Sequence, residues 1–140
     1  DTCGMFYGIL AKHDSADFAY AIMEGVSHLL AKNIEEISSA GISVEKIIAT
    51  GGGSKSDIWC QIQADVTGIP IEIPAEKEAA CLGAAIIGAV DDGNFRSFSD
   101  ASQVVQITKR FNPRTSSALN RKHRQFEYLY DLMLKIPHIK

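Results

Sequence analysis

No stretch limits the folding of this chain more than Ile47-Ile48-Ala49-Thr50-Gly51-Gly52-Gly53-Ser54-Lys55-Ser56-Asp57. A short apolar run, with Val44 just ahead of it, meets three adjacent glycines, and a predicted helix over 57–66 follows. The apolar run reads as a buried strand. Glycine lets the backbone turn sharply and approach a ligand with no side chain between. The first turn of the helix beyond presents unpaired N–H groups with a partial positive charge. The stretch is therefore a candidate nucleotide-contacting turn.

Upstream, the apolar and partly aromatic run at 4–11 predicts a strand or a buried extended segment. Asp14, with Asp17 three residues later, marks a helix start. Phe18, Ile22, Val26, Leu29, Leu30, Ile34 and Ile37 recur at three- and four-residue steps, with Glu24, Lys32, Glu35 and Glu36 opposite. This predicts a long amphipathic helix closed near Gly41. The helix after the glycine turn is expected to face inward with Ile58, Trp59, Ile62 and Val66 and to end at Gly68. Ile69-Pro70-Ile71-Glu72-Ile73-Pro74 predicts a short strand near a sheet edge, because proline cannot donate to the ladder. Residues 76–90 predict a helix rich in small residues, including Ala79, Gly83, Ala84 and Gly88, buried on more than one side. A turn at 91–94, a short helix over 99–105 and an extended piece at 108–113 lead to a terminal helix over 118–136. That helix places Phe126, Leu129, Tyr130, Met133 and Leu134 on one face.

Strands alternate with helices in the middle of the chain, so the class is α/β. Two or three strands are too few to cover three long helices, and the expectation is part of a larger fold whose other strands precede residue 1. A start at Asp1 instead of methionine also suggests a lost N-terminus. The 140 residues, 46% hydrophobic and 22% charged, have the size and composition of one soluble domain. A net charge of −3 argues against a nucleic-acid surface or a polybasic membrane segment. No apolar run approaches the ~18 residues of a membrane span. Cys3, Cys60 and Cys81 are too few and too scattered for a disulfide framework or a zinc site, which favours a cytoplasmic location.

The glycine turn matches neither common phosphate fingerprint. A dinucleotide-binding turn needs G-x-G-x-x-G, whereas Gly51-Gly52-Gly53 runs into Ser54-Lys55-Ser56. A P-loop needs G-x-x-x-x-G-K-[ST], and Gly53-Ser54-Lys55-Ser56 is one residue out of register, so Lys55 is not a Walker lysine. A purely structural turn also uses glycines before a helix. Three in a row exceed that need and clear one patch of surface, as a flat adenine or a ribose would require.

The segment Ala49-Thr50-Gly51-Gly52-Gly53-Ser54-Lys55-Ser56-Asp57-Ile58-Trp59-Cys60, continuing through Ala64-Asp65-Val66-Thr67-Gly68 to Glu78-Ala79-Ala80-Cys81-Leu82-Gly83-Ala84-Ala85, resembles the C-terminal domain of FGGY-family carbohydrate kinases, with the xylulokinase-like branch nearest. Gly4-Met5-Phe6-Tyr7-Gly8-Ile9, the run from Ala19 to Val26, and Phe111-Asn112-Pro113 extend the similarity over almost the whole chain. The resemblance implies part of an actin-like, ribonuclease-H-like ATPase domain. It implies a parent enzyme that transfers the γ-phosphoryl of Mg-ATP to a hydroxyl of a pentulose or related polyol. ATP or ADP would be the ligand of this part, with Mg2+ held mainly through the nucleotide and the N-terminal part. The sugar would be reached through the N-terminal half, and a homodimer is compatible with the full-length protein.

Residue by residue, the family's adenosine-contacting turn carries to Gly51, Gly52 and Gly53, then to Ser56 and Asp57, with Ser54 and Lys55 as neighbours. Ser56 or Asp57 would hydrogen-bond the purine edge; capping the helix is the plainer role for both. No catalytic or metal-binding residue is expected here. The family's D-x-x-A-R-G start is here Asp1-Thr2-Cys3-Gly4, without the arginine, so no substrate or phosphate role is expected at that end.

Other polar residues read more simply. Glu76 and Glu78 suit a helix start. Asp65 suits a capping or packing hydrogen bond. His13, His28, His123 and His138 lack metal-ligand spacing and read as surface or helix residues. Cys60 and Cys81 read as inert buried thiols, and Arg121, Lys122 and Arg124 as a solvated helix start. The competing functional expectation is a stand-alone, non-catalytic nucleotide-binding or interaction module of the same fold. Another member of the wider ATPase superfamily fits the tryptophan and Leu-Gly-Ala-Ala pattern less well.

Overall fold

Asp14 begins the first helix, α1 (Ser15–Ser39), by accepting from the N–H groups of Ala16 and Asp17, while the Asp17 carboxylate accepts from the Asp14 N–H. This reciprocal box satisfies amides that the helix cannot pair internally. Gly41, at a φ of +85°, carries the chain out of the helix in a conformation that favours glycine. The computed structural model describes residues 4–76, 78–114 and 117–135. Asp1, Thr2, Cys3, Ile136 and His138 therefore lie outside the described residues.

The sheet has three strands in the order β1 (Ile47–Ile48), β2 (Ile71–Pro74), β3 (Ile107–Phe111). β1 pairs in parallel with β2, with Ile47 opposite Ile71, and β2 pairs antiparallel with β3, with Ile71 opposite Phe111. The proline-bounded strand is thus central, not an edge. Pro70 precedes the strand and offers only its carbonyl, which accepts from the Ile47 N–H at 2.9 Å. Pro74 closes the strand where the register with β3 shifts. Neither proline has to donate within the ladder.

Helix α2 (Asp57–Thr67) lies on this sheet. Cys60 and Ala64 pack on Ile71, with Ile47, Ala49, Ile73 and Phe111 around them. Ile62 is also buried, whereas Ile58, expected inside, is 66% exposed. The inward face of α2 follows Cys60 and Ala64 because their small side chains let the helix sit close to β2. Ser56 caps α2 at its start, and Gly68 ends it at a φ of +71°. α1 packs across α2.

Helices α3 (Ala79–Asp91), α4 (Phe98–Ala101) and α5 (Ser117–Met133) complete the described fold. Three expectations are corrected. Residues 4–10 form no strand and are exposed; Phe6 meets Phe18 edge to face, and Leu10 exchanges two hydrogen bonds with His13. α3 starts at Ala79 and buries no residue; its small side chains permit close approach, but its faces meet little beyond α4. Cys81, on α3, is exposed for the same reason, while Cys60 is buried as expected.

Asp65 does take the packing role. Its carboxylate accepts from the Arg114 backbone N–H at 2.8 Å, from the Arg114 guanidinium at 2.7 Å and from Gln61 Nε2 at 2.8 Å. Gln61 Nε2 also donates to the Asn112 carbonyl at 3.0 Å, so the segment after β3 is tied to α2 at two points. Burial alone would raise the Asp65 pKa, but the Arg114 bonds outweigh it and hold the carboxyl below its ordinary value.

Candidate functional site

The glycine turn forms one wall of an open cleft of about 510 Å³. Thr50, Gly51, Gly52, Ser54 and Lys55 line that wall. Pro74, Glu76 and Glu78 line the wall opposite, with Thr108 and Lys109 of β3. β1 delivers the turn and the neighbouring β2 and β3 deliver the rest, so the cleft sits at one end of the three-stranded sheet.

The three glycines of the turn differ in backbone conformation and surroundings. Gly51 has a φ of +75°, which disfavours any side chain. A Cβ on Gly53 would rest against the Trp59 ring at 3.5 Å, an ordinary van der Waals contact. Gly52 has ordinary right-handed helical dihedrals, φ −63° and ψ −42°, and a Cβ there would meet nothing within 4 Å. Nothing in the described fold requires glycine at position 52.

Beyond the glycines, the chain makes one 3-10 turn over Gly53–Lys55 before α2 starts. Ser54 Oγ donates to the Gly51 carbonyl at 2.8 Å and tightens the bend. Ser56 Oγ accepts from the Trp59 N–H at 3.3 Å, which is the capping role, and its own O–H proton remains available to a further acceptor. Asp57 is exposed in the first turn of α2, where its two oxygens accept from Lys109 Nζ at 2.7 and 2.9 Å.

The structure thus brings Gly51, Gly52 and Ser54 to the cleft surface together with Lys55. Gly53, Ser56 and Asp57 stand behind it, and Asp57 connects to it through Lys109. Sequence reasoning missed Thr108 and Lys109 as lining residues. They are more than fifty residues beyond the glycines, and only the antiparallel β2–β3 pairing brings them alongside. Glu76 and Glu78 were assigned to a helix start, and Glu78 does occupy the N-cap position of α3, but its side chain makes no capping bond. Glu76 Oε1 instead accepts from the Glu78 N–H at 2.9 Å.

A larger hollow of about 600 Å³ lies between residues 4–7, α1 and α5, walled by Phe6, Ile22, Val26, Phe126 and Leu129. Its lining is predominantly apolar, as expected of uncovered helix faces. The cleft at the glycine turn has the convergent backbone and charged groups that a small-molecule site needs. At that turn, burial first and the nearby Asp57 second push the Cys60 thiol above its ordinary pKa, leaving it a poor nucleophile.

A histidine pair lies away from this cleft. His28 of α1 is buried, and its Nδ1 stands 3.0 Å from Nδ1 of His123 of α5. Burial, reinforced by His123, lowers the His28 pKa to about 4, so it is neutral at physiological pH. Among the described residues, no helix is long and apolar enough to cross a membrane.

Residues 1–91 match the model of the FGGY family of carbohydrate kinases, C-terminal domain. The chain belongs to the FGGY family of carbohydrate kinases. Among curated relatives of this family, the chain is 32% identical over 130 residues to a xylulose kinase of Staphylococcus epidermidis, covering 92% of this chain and 25% of that enzyme. Among solved structures, a xylulose kinase from Rhodospirillum rubrum superposes with a TM-score of 0.82 at 24% identity, over 92% of this chain and 27% of that one. A glycerol kinase from Plasmodium falciparum, solved with ADP, superposes with a TM-score of 0.79 at 21% identity, over 99% of this chain and 28% of that one. The α/β fold is thus the actin-like, ribonuclease-H-like ATPase fold of FGGY kinases. The chain spans about a quarter of the length of the curated relatives it matches.

Proposed function

We propose that this chain is a single domain, the ATP-binding C-terminal part of a carbohydrate kinase, with its nucleotide in the cleft at the glycine turn. The observation that carries this reading is Gly52. Its dihedrals would accept any residue and a Cβ would meet open space, so its bareness serves something placed in the cleft. The cleft volume of about 510 Å³ falls in the range of small-molecule sites. The structural relative solved with ADP supports a nucleotide as the ligand of this fold, and the xylulose kinases among the relatives support a pentulose as the phosphoryl acceptor.

In this reading Gly51 and Gly52 form a bare backbone surface for the adenosine, with Gly53 and Ser54 holding the bend. Ser56 donates its free hydroxyl proton to a purine nitrogen while it continues to cap α2. Lys109 holds the Asp57 carboxylate behind the cleft wall, and a purine that reaches past the lining would meet its remaining lone pairs with the exocyclic amine. ATP with a divalent ion, Mg2+ in the first instance, supplies the phosphoryl group. The metal-held phosphates and the sugar belong to the N-terminal part of the parent enzyme. The protein is expected in the cytoplasm, and the full-length form as a homodimer. The uncovered apolar faces of α1 and α3 support a piece of a larger enzyme over a stand-alone module.

Titration of ATP against the wild type and Gly52→Val tests the site. The dihedrals and the open space let valine be accommodated, so the circular dichroism spectrum stays unchanged while affinity falls tenfold or more. Equal affinity for both proteins removes the glycine turn from the site.

A further inference from the structure

The seam between α1 and α5 has a polar centre that the nucleotide reading does not use. His28 is 4% exposed, and its ring stacks between those of His123 and Phe126, with centroids 5.1 Å away in each case. On its other side, His123 turns Nε2 to Glu35 Oε1 of α1 at 3.1 Å. Glu127 follows His123 by four residues and so shares its face of α5. One ligand atom from each of Glu35, His123 and Glu127 lies within 4.8 Å of the others.

Two Nδ1 atoms at 3.0 Å must share one hydrogen, because two lone pairs cannot face each other at that distance. If His28 donates, His123 keeps its proton on Nε2 and gives it to Glu35. If His123 donates instead, its Nε2 either carries a second proton, as an imidazolium between His28 and Glu35, or turns a bare lone pair toward two carboxylates, an arrangement that needs a cation. A metal ion on Nε2 selects the second state. A metal-bound imidazole normally donates its other ring N–H to an acceptor that fixes the ring, and His28 Nδ1 is that acceptor. Two N/O ligands each about 2.1 Å from a zinc ion stand roughly 3.0–3.4 Å apart; His123 Nε2 and Glu35 Oε1 already stand 3.1 Å apart, and Glu127, within 4.8 Å of them, closes in on the ion by side-chain rotation. The change of state is proton-neutral: His123 gives up its Nε2 proton and takes one on Nδ1 from His28, and His28 takes a proton on its own Nε2.

We propose that Glu35, His123 and Glu127 bind a divalent transition-metal ion of the zinc class, with His28 as the residue that positions His123. One imidazole with two carboxylates suits Zn2+, Co2+ or Ni2+ better than Mg2+ or Ca2+, which favour all-oxygen shells. The two carboxylates balance the charge of the ion, and water completes the shell. The site joins α1 to α5 beside the Lys122–Glu24 ion pair, which spans the same two helices at 2.7 Å. Its residues do not line the cleft of the glycine turn, so it is separate from any metal carried by a nucleotide.

The test is a titration of the full nucleotide-free chain with Zn2+, read by competition with a chromophoric chelator, in a Cys3→Ser, Cys81→Ser background. One equivalent should bind, and thermal unfolding should shift upward. His123→Ala and Glu127→Gln should each weaken binding tenfold or more. His28→Phe should weaken it with the stoichiometry kept, as for a positioning residue. Glu35→Gln, at an exposed position, serves if the His123 variant does not fold. With Co2+, visible bands of a nitrogen–oxygen site should appear without a thiolate charge-transfer band. Equal affinity in the wild type and the Glu35, Glu127 and His123 variants, or a thiolate band from Cys60, overturns the proposal.

Discussion

At the scale of single residues, Asp65 joins sequence to stability most directly. Four N–H donors, one from Gln61 and three from Arg114, converge on a carboxylate whose side chain is 13% exposed. The exposed Arg114 guanidinium weakens the pair through screening, so Asp65→Asn is expected to cost about 1–2 kcal/mol at neutral pH. Chemical denaturation measures that difference. The pH dependence has a definite sign. The Asp65 pKa is lower in the folded than in the unfolded chain, so its stabilisation is complete above the ordinary carboxylate pKa of about 4 and is lost as the pH falls through the folded value. The gap between wild type and Asp65→Asn should stay constant from pH 7 to about 4 and narrow below it. A gap that closes already near pH 6 assigns the effect to another group. The Ala-Asp-Val run marked Asp65 as a hydrogen-bonding position, but its partner is 49 residues away in sequence and only the folded chain pairs them. His28 shows the same limit. Its sequence neighbours suggested an ordinary helix position, and its burial depends on His123, 95 residues further on.

At the scale of elements, local chemistry was legible and the choice of partners was not. The Asp14–Asp17 box, the Ser56 cap and the Gly68 stop are interactions within four residues, and each was readable before any fold was known. Ser56→Ala should therefore cost about 1 kcal/mol by loss of the cap. It should also weaken ATP binding if Ser56 touches the purine, and calorimetry with denaturation separates these two effects. β2 was placed at an edge because prolines flank it. Position in a sheet depends instead on which N–H groups pair, and both prolines stand where none is needed. Ile71, fully buried at the centre, holds the contact with Cys60 and Ala64. Ile71→Ala should destabilise by about 2–5 kcal/mol, the range for emptying a tight core site. A cost below 1 kcal/mol means that α2 settles onto the vacated space. For α3, small side chains predict burial, but composition limits only how near a neighbour may come.

At the scale of the whole molecule, apolar surface and cleft contents point the same way. Ile22 and Val26 of α1, Ile87 of α3, and Met5, Tyr7 and Ile9 ahead of α1 are all more than two-fifths exposed. This surface is larger than scattered exposure explains. Ile22→Glu with Val26→Glu should remove much of the binding of a hydrophobic dye while helix content is kept. The cleft itself offers binding groups: a bare backbone, two lysines, two threonines, a serine and two glutamates. Phosphoryl transfer also needs a carboxylate beside the attacking hydroxyl and groups that hold the transferring phosphoryl in line. Glu76 and Glu78 are carboxylates, but Glu76 is engaged with the Glu78 N–H and Glu78 stands at the N-cap of α3. The chain supplied with ATP, Mg2+ and xylulose should therefore bind nucleotide and form no sugar phosphate above background in a coupled ADP assay. Turnover that Glu76→Gln or Glu78→Gln abolishes would transfer the base to this cleft and overturn the division of labour between the two parts of the enzyme. Binding without turnover leaves the cleft to position one end of ATP, a task for which a bare glycine surface at Gly51 and Gly52 is sufficient.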